Sequence, residues 1–315
     1  MNSQPTISRR RAISIIAGCC AFPATGLATE TPVLEWQGTA LGADARIVFR
    51  DGQSRETREM LTRVRDEIDR LENIFSLYRP GSALRTLNKT GILAGAPVEL
   101  TALTRRALWY ADITGGAFDV SVQPLWHLYA THFTENPAGA EGPPRAAIAA
   151  AMARIGTRHI KVTDTSIRLD PGTELTFNGI AQGYITDRVA DLLKQYGWRN
   201  VLIQLGETRA LGSHPAGRAW EISLPDGART MLRDGALATS APTATRFGMD
   251  RLFHHLFDPA SGRPAAARAA LTIAAPRATD ADALSTALFV LPPATHAAIL
   301  ARVPGAAKCA GKNRS

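Results

Sequence analysis

The chain has 315 residues, 45% hydrophobic and 20% charged, and its 36 Lys and Arg against 28 Asp and Glu give a formal net charge of +8. This composition supports a real core in one large domain or two small ones. The basic residues are spread along the chain, with no Lys/Arg run interleaved with aromatics, which argues against nucleic-acid binding.

The first segment reads as an export signal. Ser8-Arg9-Arg10-Arg11 precedes a short apolar run from Ile13 to Phe22, and small residues follow. Paired arginines before a weakly hydrophobic stretch resemble a twin-arginine signal. Residues 1–28 are therefore expected to be a signal peptide cleaved near Gly26-Leu27-Ala28, and the mature protein is expected to be periplasmic. Ile16-Ala17-Gly18-Cys19 also has the form of a lipoprotein cleavage box, so lipidation at Cys19 stays open. Without Arg9, Arg10 and Arg11 the net charge is +5 (8 minus 3). No later apolar run reaches the roughly 20 residues that span a bilayer. Of the three cysteines, Cys19 and Cys20 fall in this segment, which leaves Cys309 without a disulfide partner.

Residues 39–50 alternate as a strand. Residues 55–75 form the clearest helix, with Leu61, Val64, Ile68, Leu71 and Phe75 at helical spacing and charges opposite. Residues 76–82 break it as a loop. A second helix over 101–114 is closed by Gly115-Gly116. The Pro/Gly-rich residues 137–145 form a surface loop and the best internal break, followed by an Ala-rich helix to Ile155. Residues 159–162 and 167–169 read as a hairpin. Ile180 to Tyr196 is a helix with Ile185, Val189 and Leu192 on one face and Gly197 ending it. Strands follow at 200–205, 220–224, 252–257 and 271–275, then helices from Ala281 and Thr295. Runs of strands separate the helices without regular βαβ alternation, which predicts an α+β fold. Residues 36–304 are expected to be the folded domain and 305–315 a disordered tail.

Several residues carry candidate chemistry. Asp282 and Thr286, four apart, place a carboxylate and a hydroxyl on one helix face, oxygen donors that a hard cation such as Mg2+ prefers. Thr279-x-x-Asp282 is equally close to a capping box, so cap and ligand both remain open. Asp280 adds a negative charge that a cation would relieve. Gly179-x-x-x-Gly183 suits either bare backbone near a phosphate or close helix packing. Asp119, after Gly115-Gly116, offers a carboxylate to a polar ligand edge. His255 alternates with Leu256 before an Asp258-Pro259 turn, so one of the two faces inward.

Taken in order, these segments resemble the ApbE family of FAD:protein FMN transferases. The matching blocks are Phe75-Ser-Leu-Tyr-Arg-Pro-Gly-Ser82, Gly115-Gly-Ala-Phe-Asp119-Val-Ser-Val-Gln-Pro124, Asn178-Gly-Ile-Ala-Gln-Gly-Tyr184 with Asp187-Arg188, residues 201–212, Ala238-Thr-Ser240, His255-Leu-Phe-Asp-Pro259-x-x-Gly262-x-Pro264 and Asp282 to Phe289. The resemblance spans about Trp36 to Pro292. It implies one large mixed domain of antiparallel strands with packed helices, T-fold-like. The activity it implies is transfer of FMN from FAD to a threonine hydroxyl of a partner flavoprotein, with release of AMP. It further implies Mg2+ held by Asp282, Thr286 and the backbone at Ala181, helped by Ser285, and FAD lined by Tyr78, Ser82, Asp119, Tyr184 and Leu256. His255 would then activate or orient the acceptor hydroxyl. The acceptor would be a membrane-associated flavoprotein of an electron-transfer chain, its target threonine in an exposed Asp-Gly loop. The export signal is similar to that of the family's accessory member in nitrous oxide reduction. Gln182 stands where a lysine is usual, Gly206-Glu207-Thr208 replaces a usual double glycine, and Ser240-Ala241-Pro242-Thr243 replaces a Ser-Gly turn, which bears on FAD affinity and rate. A flavin-binding protein without catalysis and an FAD pyrophosphate hydrolase are the alternatives.

Overall fold

A computed structural model describes residues 34–40, 42–49, 55–137, 141–214, 216–248 and 253–309. The expected signal over 1–28, with Cys19, lies outside the described residues. The chain opens with strands β1 (Leu34–Ala40) and β2 (Ala43–Phe49), where one strand over 39–50 was expected. They form an antiparallel hairpin that turns at Gly42, whose φ of 76° favours glycine. Helix α1 (Arg55–Phe75) follows as expected, with Val64, Ile68 and Leu71 fully or nearly buried.

Helix α2 (Ala83–Thr90), strand β3 (Ile92–Ala94) and helix α3 (Val98–Ile113) come next. Then come α4 (Gln123–Glu135), α5 (Arg145–Met152) and the strands β4 (Ile160–Val162) and β5 (Ser166–Leu169). The β4–β5 hairpin is antiparallel as expected, and β3 adds to its far edge. Helix α4 carries no clean helical stripe because its surface is taken up by an aromatic cluster. Tyr129 and Phe133 pack there with Phe247 and Phe257, and Tyr129 lies 4.8 Å from Phe257 between ring centroids.

The second half contributes α6 (Ala181–Gln195), β6 (Val201–Leu205), β7 (Glu207–Leu211), β8 (Trp220–Ser223), β9 (Arg229–Leu232) and β10 (Gly235–Ser240). After these come the short β11 (Arg246–Phe247), β12 (Phe253–His254), β13 (Phe257–Asp258) and β14 (Arg263–Pro264). Last are β15 (Leu271–Ala275), α7 (Ala278–Val290), α8 (His296–Leu300) and β16 (Ala307–Lys308). The expected strand over 252–257 is thus two short ones with different partners. The Leu256 amide between them donates to His254 Nδ1, which takes it out of any ladder. The expected disordered tail also needs correction. Residues 305–309 are ordered, with β16 pairing on β15 and the Cys309 amide donating to Thr272 O, while 310–315 lie outside the described residues.

One antiparallel sheet, in the order β1-β2-β6-β7-β10-β15-β16, organises the molecule as an α+β fold. Side chains alternate across it. Ile47, Ile203, Leu211 and Ala238 face the main core with α1, α3, α6 and α7, whereas Val48, Leu202, Ala210 and Leu237 face the β8–β9 hairpin through Trp220 and Ile222. No described helix is long and apolar enough to cross a membrane.

Candidate active site

The helices α6 and α7 meet on the sheet with no Cβ between them at Gly183. A methyl group there would collide with the Ala278 carbonyl and come within 2.8 Å of Asp282 Cβ. At this junction each helix terminates the other. Asp187 of α6 accepts the α7 amides of Ala278 (3.0 Å) and Thr279 (2.8 Å) and the Thr279 hydroxyl (2.7 Å). Asp282 of α7 accepts the Gly183 amide of α6 at 2.9 Å through Oδ2. Carboxylates at helix N-termini satisfy amides that have no partner within the helix and complement the positive end of the dipole. Of the two readings left open for Thr279 and Asp282, the capping box within α7 is not formed. Thr279 and Asp282 serve the neighbouring helix, and α7 starts at Ala278 because its cap arrives from 91 residues upstream.

Asp282 is 4% exposed, and burial, with Asp187 adding to it, pushes its carboxyl up to about 7 against the opposing pull of the Gly183 amide. Oδ1 is left for a ligand. One turn further along α7 lies a hydroxyl cluster: Ser285 Oγ donates to the Asp282 main-chain carbonyl (3.0 Å), and Ser240 Oγ lies 2.9 Å from Ser285 Oγ and 3.4 Å from Thr286 Oγ1. Gly179 closes over Thr286, since a Cβ there would lie 2.9 Å from Thr286 Oγ1 and 3.4 Å from the Phe118 ring. That contact brings together three distant motifs, 115–119, 178–184 and 282–286. Among the described residues no three His, Cys, Asp or Glu side chains group to hold a metal. The donors are instead one buried carboxyl, hydroxyls and backbone oxygen. An all-oxygen set with few protein ligands fits Mg2+, which keeps several waters, and a carboxyl whose charged form burial disfavours is the kind a bound cation offsets.

The remaining expected residues divide. Thr286 is half-buried at the site, whereas Ser285 is buried and spends its proton on the Asp282 carbonyl, so it orders the cluster. Ala181 is the first residue of α6, two before Gly183. Asp119 Oδ1 accepts both the Ser121 amide (2.8 Å) and hydroxyl (2.5 Å), burial raises its carboxyl, and Oδ2 remains open. Tyr184 packs edge-on against Phe75 at 5.5 Å, and Tyr78, beyond that helix end, is 67% exposed. Ser82 is not available as a ligand contact. Its hydroxyl donates to Ser76 O and accepts the Arg85 amide, which fixes the loop that presents Tyr78. Leu256 is likewise a core position rather than a lining residue: it packs with Ala265 and Phe289, and both its backbone groups are bonded internally. Asp280, expected to need a cation, already has Arg106 at 2.9 Å and the Tyr110 hydroxyl at 2.8 Å.

His255 is the member of its pair left for chemistry. Its neighbour His254 is buried edge-on to Phe289, three residues beyond Thr286, and bonds the Ala265 carbonyl at 3.0 Å. His255 Nδ1 lies 3.1 Å from the Thr245 carbonyl, so Nδ1 carries the proton and Nε2 keeps its lone pair. Burial lowers its pKa to about 4, which keeps the imidazole neutral.

Sequence reasoning gave no role to Asp187 or Ser240, and it read Glu207 only as part of a segment that replaces a double glycine. Glu207 is 8% exposed and its carboxyl is raised well above the usual range by burial and by Asp282. The signal for Asp187 was the short spacing to Gly183, which puts it one turn further along the same helix. Ser240 left no local signal, because its partners lie 45 and 46 residues away.

Comparison with known proteins shows the family to which the chain belongs. The ApbE family model matches residues 41–310. An FAD:protein FMN transferase of Treponema pallidum is 30% identical, covering 82% of this chain and 78% of its own, and one of Salmonella typhimurium is 27% identical over 88% and 83%. The crystal structure of an ApbE protein from Thermotoga maritima superposes with a TM-score of 0.76 at 28% identity, covering 87% of this chain and 92% of that one.

Proposed function

The chain belongs to the ApbE family, and from that premise we propose that it is an FAD:protein FMN transferase that uses Mg2+. It moves FMN from FAD to a threonine hydroxyl of a partner flavoprotein and releases AMP. The observation that carries the reading is the Asp282 carboxyl, buried at the α6–α7 junction with one oxygen bonded to Gly183, one helical turn from Thr286 and the hydroxyls of Ser240 and Ser285.

Asp282 Oδ1, Thr286 Oγ1 and the Ala181 carbonyl are the oxygens assigned to hold the cation. Bound there, Mg2+ would neutralise the pyrophosphate oxygens and the charge developing on departing AMP. The exposed Tyr78 offers a ring face to the isoalloxazine, and Asp119 Oδ2 accepts hydrogen bonds from a polar edge of the ligand. His255 Nε2 takes the proton of the acceptor hydroxyl as its oxygen bonds to the FMN phosphorus and the bond to the AMP oxygen breaks. His255 can do so at neutral pH because Nδ1–H is fixed on Thr245 and burial keeps the ring uncharged.

Export belongs to the same proposal. Arg9 to Arg11 before the apolar run supports a periplasmic enzyme acting on a membrane-associated acceptor of an electron-transfer chain. The test is to incubate the protein with FAD, Mg2+ and a candidate acceptor domain and to quantify AMP and covalent flavin together. Equal amounts of the two support transfer. AMP with free FMN and no labelled acceptor would establish hydrolysis instead.

A further inference from the structure

Strand β7 carries two ionisable side chains, Glu207 and Arg209, on the face that meets α6 and α7, and the fold gives them unequal partners. Arg209, 5% exposed, lies 3.5 Å from Asp187 Oδ1. Arg277 lies 3.3 Å from Asp187 Oδ2 and bonds Asp191 at 2.9 Å. Both guanidinium groups therefore stand on the Asp187 side of the junction.

Glu207 has no such counter-ion among the described residues. Its carboxyl accepts the Thr239 amide, and the charge that acts on it is that of Asp282. Contacts of the residues on either side place this stretch of β7 next to the cation donors. The adjoining Gly206 lies against the Gln182 side chain, next to the Gly183 that binds Asp282, and a Cβ on Gly206 would fall 2.7 Å from the Gln182 amide. On the other side, Thr239 precedes Ser240, whose hydroxyl reaches Ser285 and Thr286. Arg209 and Arg277 are thus taken up by Asp187 and Asp191, which leaves the buried carboxyls of Glu207 and Asp282 without a guanidinium partner among the described residues. Burying two carboxylates without a cation between them is costly.

We propose that Glu207 is a second carboxylate of the Asp282 cation site, acting directly or through a metal-bound water, so that the site takes a doubly charged ion in preference to a monovalent one. This rests on the reading of Asp282 as a cation ligand. Two carboxylates balance a divalent ion, whereas Asp282 alone would be balanced by sodium or potassium.

The probe is Mn2+ binding to chelator-stripped protein without FAD, read by loss of the free Mn2+ electron paramagnetic resonance signal, with Mg2+ as competitor. Glu207→Gln keeps the side-chain shape and an oxygen for the Thr239 amide while removing the charge. Its Mn2+ dissociation constant should rise by about tenfold or more, the scale seen when groups around a metal are removed. Its metal-free melting temperature should not fall, because the amide replaces a carboxyl whose charged form burial and Asp282 already disfavour and still accepts the Thr239 amide. Glu207→Asp, which keeps the charge on a shorter arm, should bind with intermediate affinity and serves if the Gln variant does not fold. Unchanged Mn2+ affinity in the Glu207 variants, with binding lost in Asp282→Asn, overturns the proposal and leaves the transferase reading intact. Glu207-dependent Mn2+ binding in a protein that never labels an acceptor does the reverse. Wild-type protein that binds neither ion overturns both.

Discussion

The Asp282 carboxyl, almost fully buried, holds the Gly183 amide with one oxygen and keeps the other for a ligand. Asp282→Asn keeps the size of the side chain but removes the charge, so FMN transfer at limiting Mg2+ should fall by about a hundredfold or more, in line with losses of a metal ligand or its support. Stopped or end-point assays of acceptor labelling check it, and full transfer by the variant would remove Asp282 from the site. His255 gives a second test. Its proton affinity is lower in the fold, near 4, than the ordinary 6.5, so the neutral form persists in the window where a free imidazole is charged. In terms of stability, its contribution is complete above pH 6.5 and is lost as pH falls toward 4. At saturating Mg2+, transfer should hold its rate down to about pH 5, and His255→Gln should lower it by about 100-fold or more, the range of a general base. A rate that falls through pH 6.5 would contradict the buried neutral base.

At the scale of elements, the α6–α7 pair is held by side chains exchanged between helices. Gly183→Ala adds a methyl group where the Ala278 carbonyl and Asp282 already touch. It should cost about 1–3 kcal/mol or more and weaken Mg2+ binding with it, seen as a lower melting temperature and a smaller rise on adding Mg2+. Asp187→Asn would leave Arg209 buried beside a neutral partner and weaken three bonds to α7. A loss of about 3–5 kcal/mol in denaturant unfolding is expected, and a loss near zero would show that the exchange of caps is incidental. This is also where the sequence misled. The spacing of Asp282 and Thr286 was legible because both lie on one helix. The cap of α7 was not, since local pattern assigns caps to the nearest acid, whereas here the acid comes from α6. Helix α1 was legible end to end from its apolar stripe. Helix α4 escaped because Tyr129 and Phe133 are buried in an aromatic cluster rather than along a single stripe.

For the molecule as a whole, one antiparallel sheet brings β7 and β10 under the two helices, so that Ser240 meets Ser285 of α7 although the two are 45 residues apart in the chain. The α+β class followed from the irregular order of strands and helices, but the sheet order did not, because pairing across long connections leaves no periodic trace. The C-terminal edge shows the same limit: Ala307–Lys308 reads as tail, yet completes the sheet on β15. Removing residues 305–315 should therefore lower stability by about 1–2 kcal/mol, the worth of a few ladder bonds, without abolishing FMN transfer. The central claim, that a divalent cation beside Asp282 drives transfer of FMN to a protein hydroxyl, is tested most directly by the intact mass of an acceptor domain after incubation with FAD and the enzyme. The expected result is one added FMN group per acceptor with Mg2+ present, and none with chelator or with Asp282→Asn. Equal labelling in chelator, or no labelling of the acceptor under any condition, would contradict it.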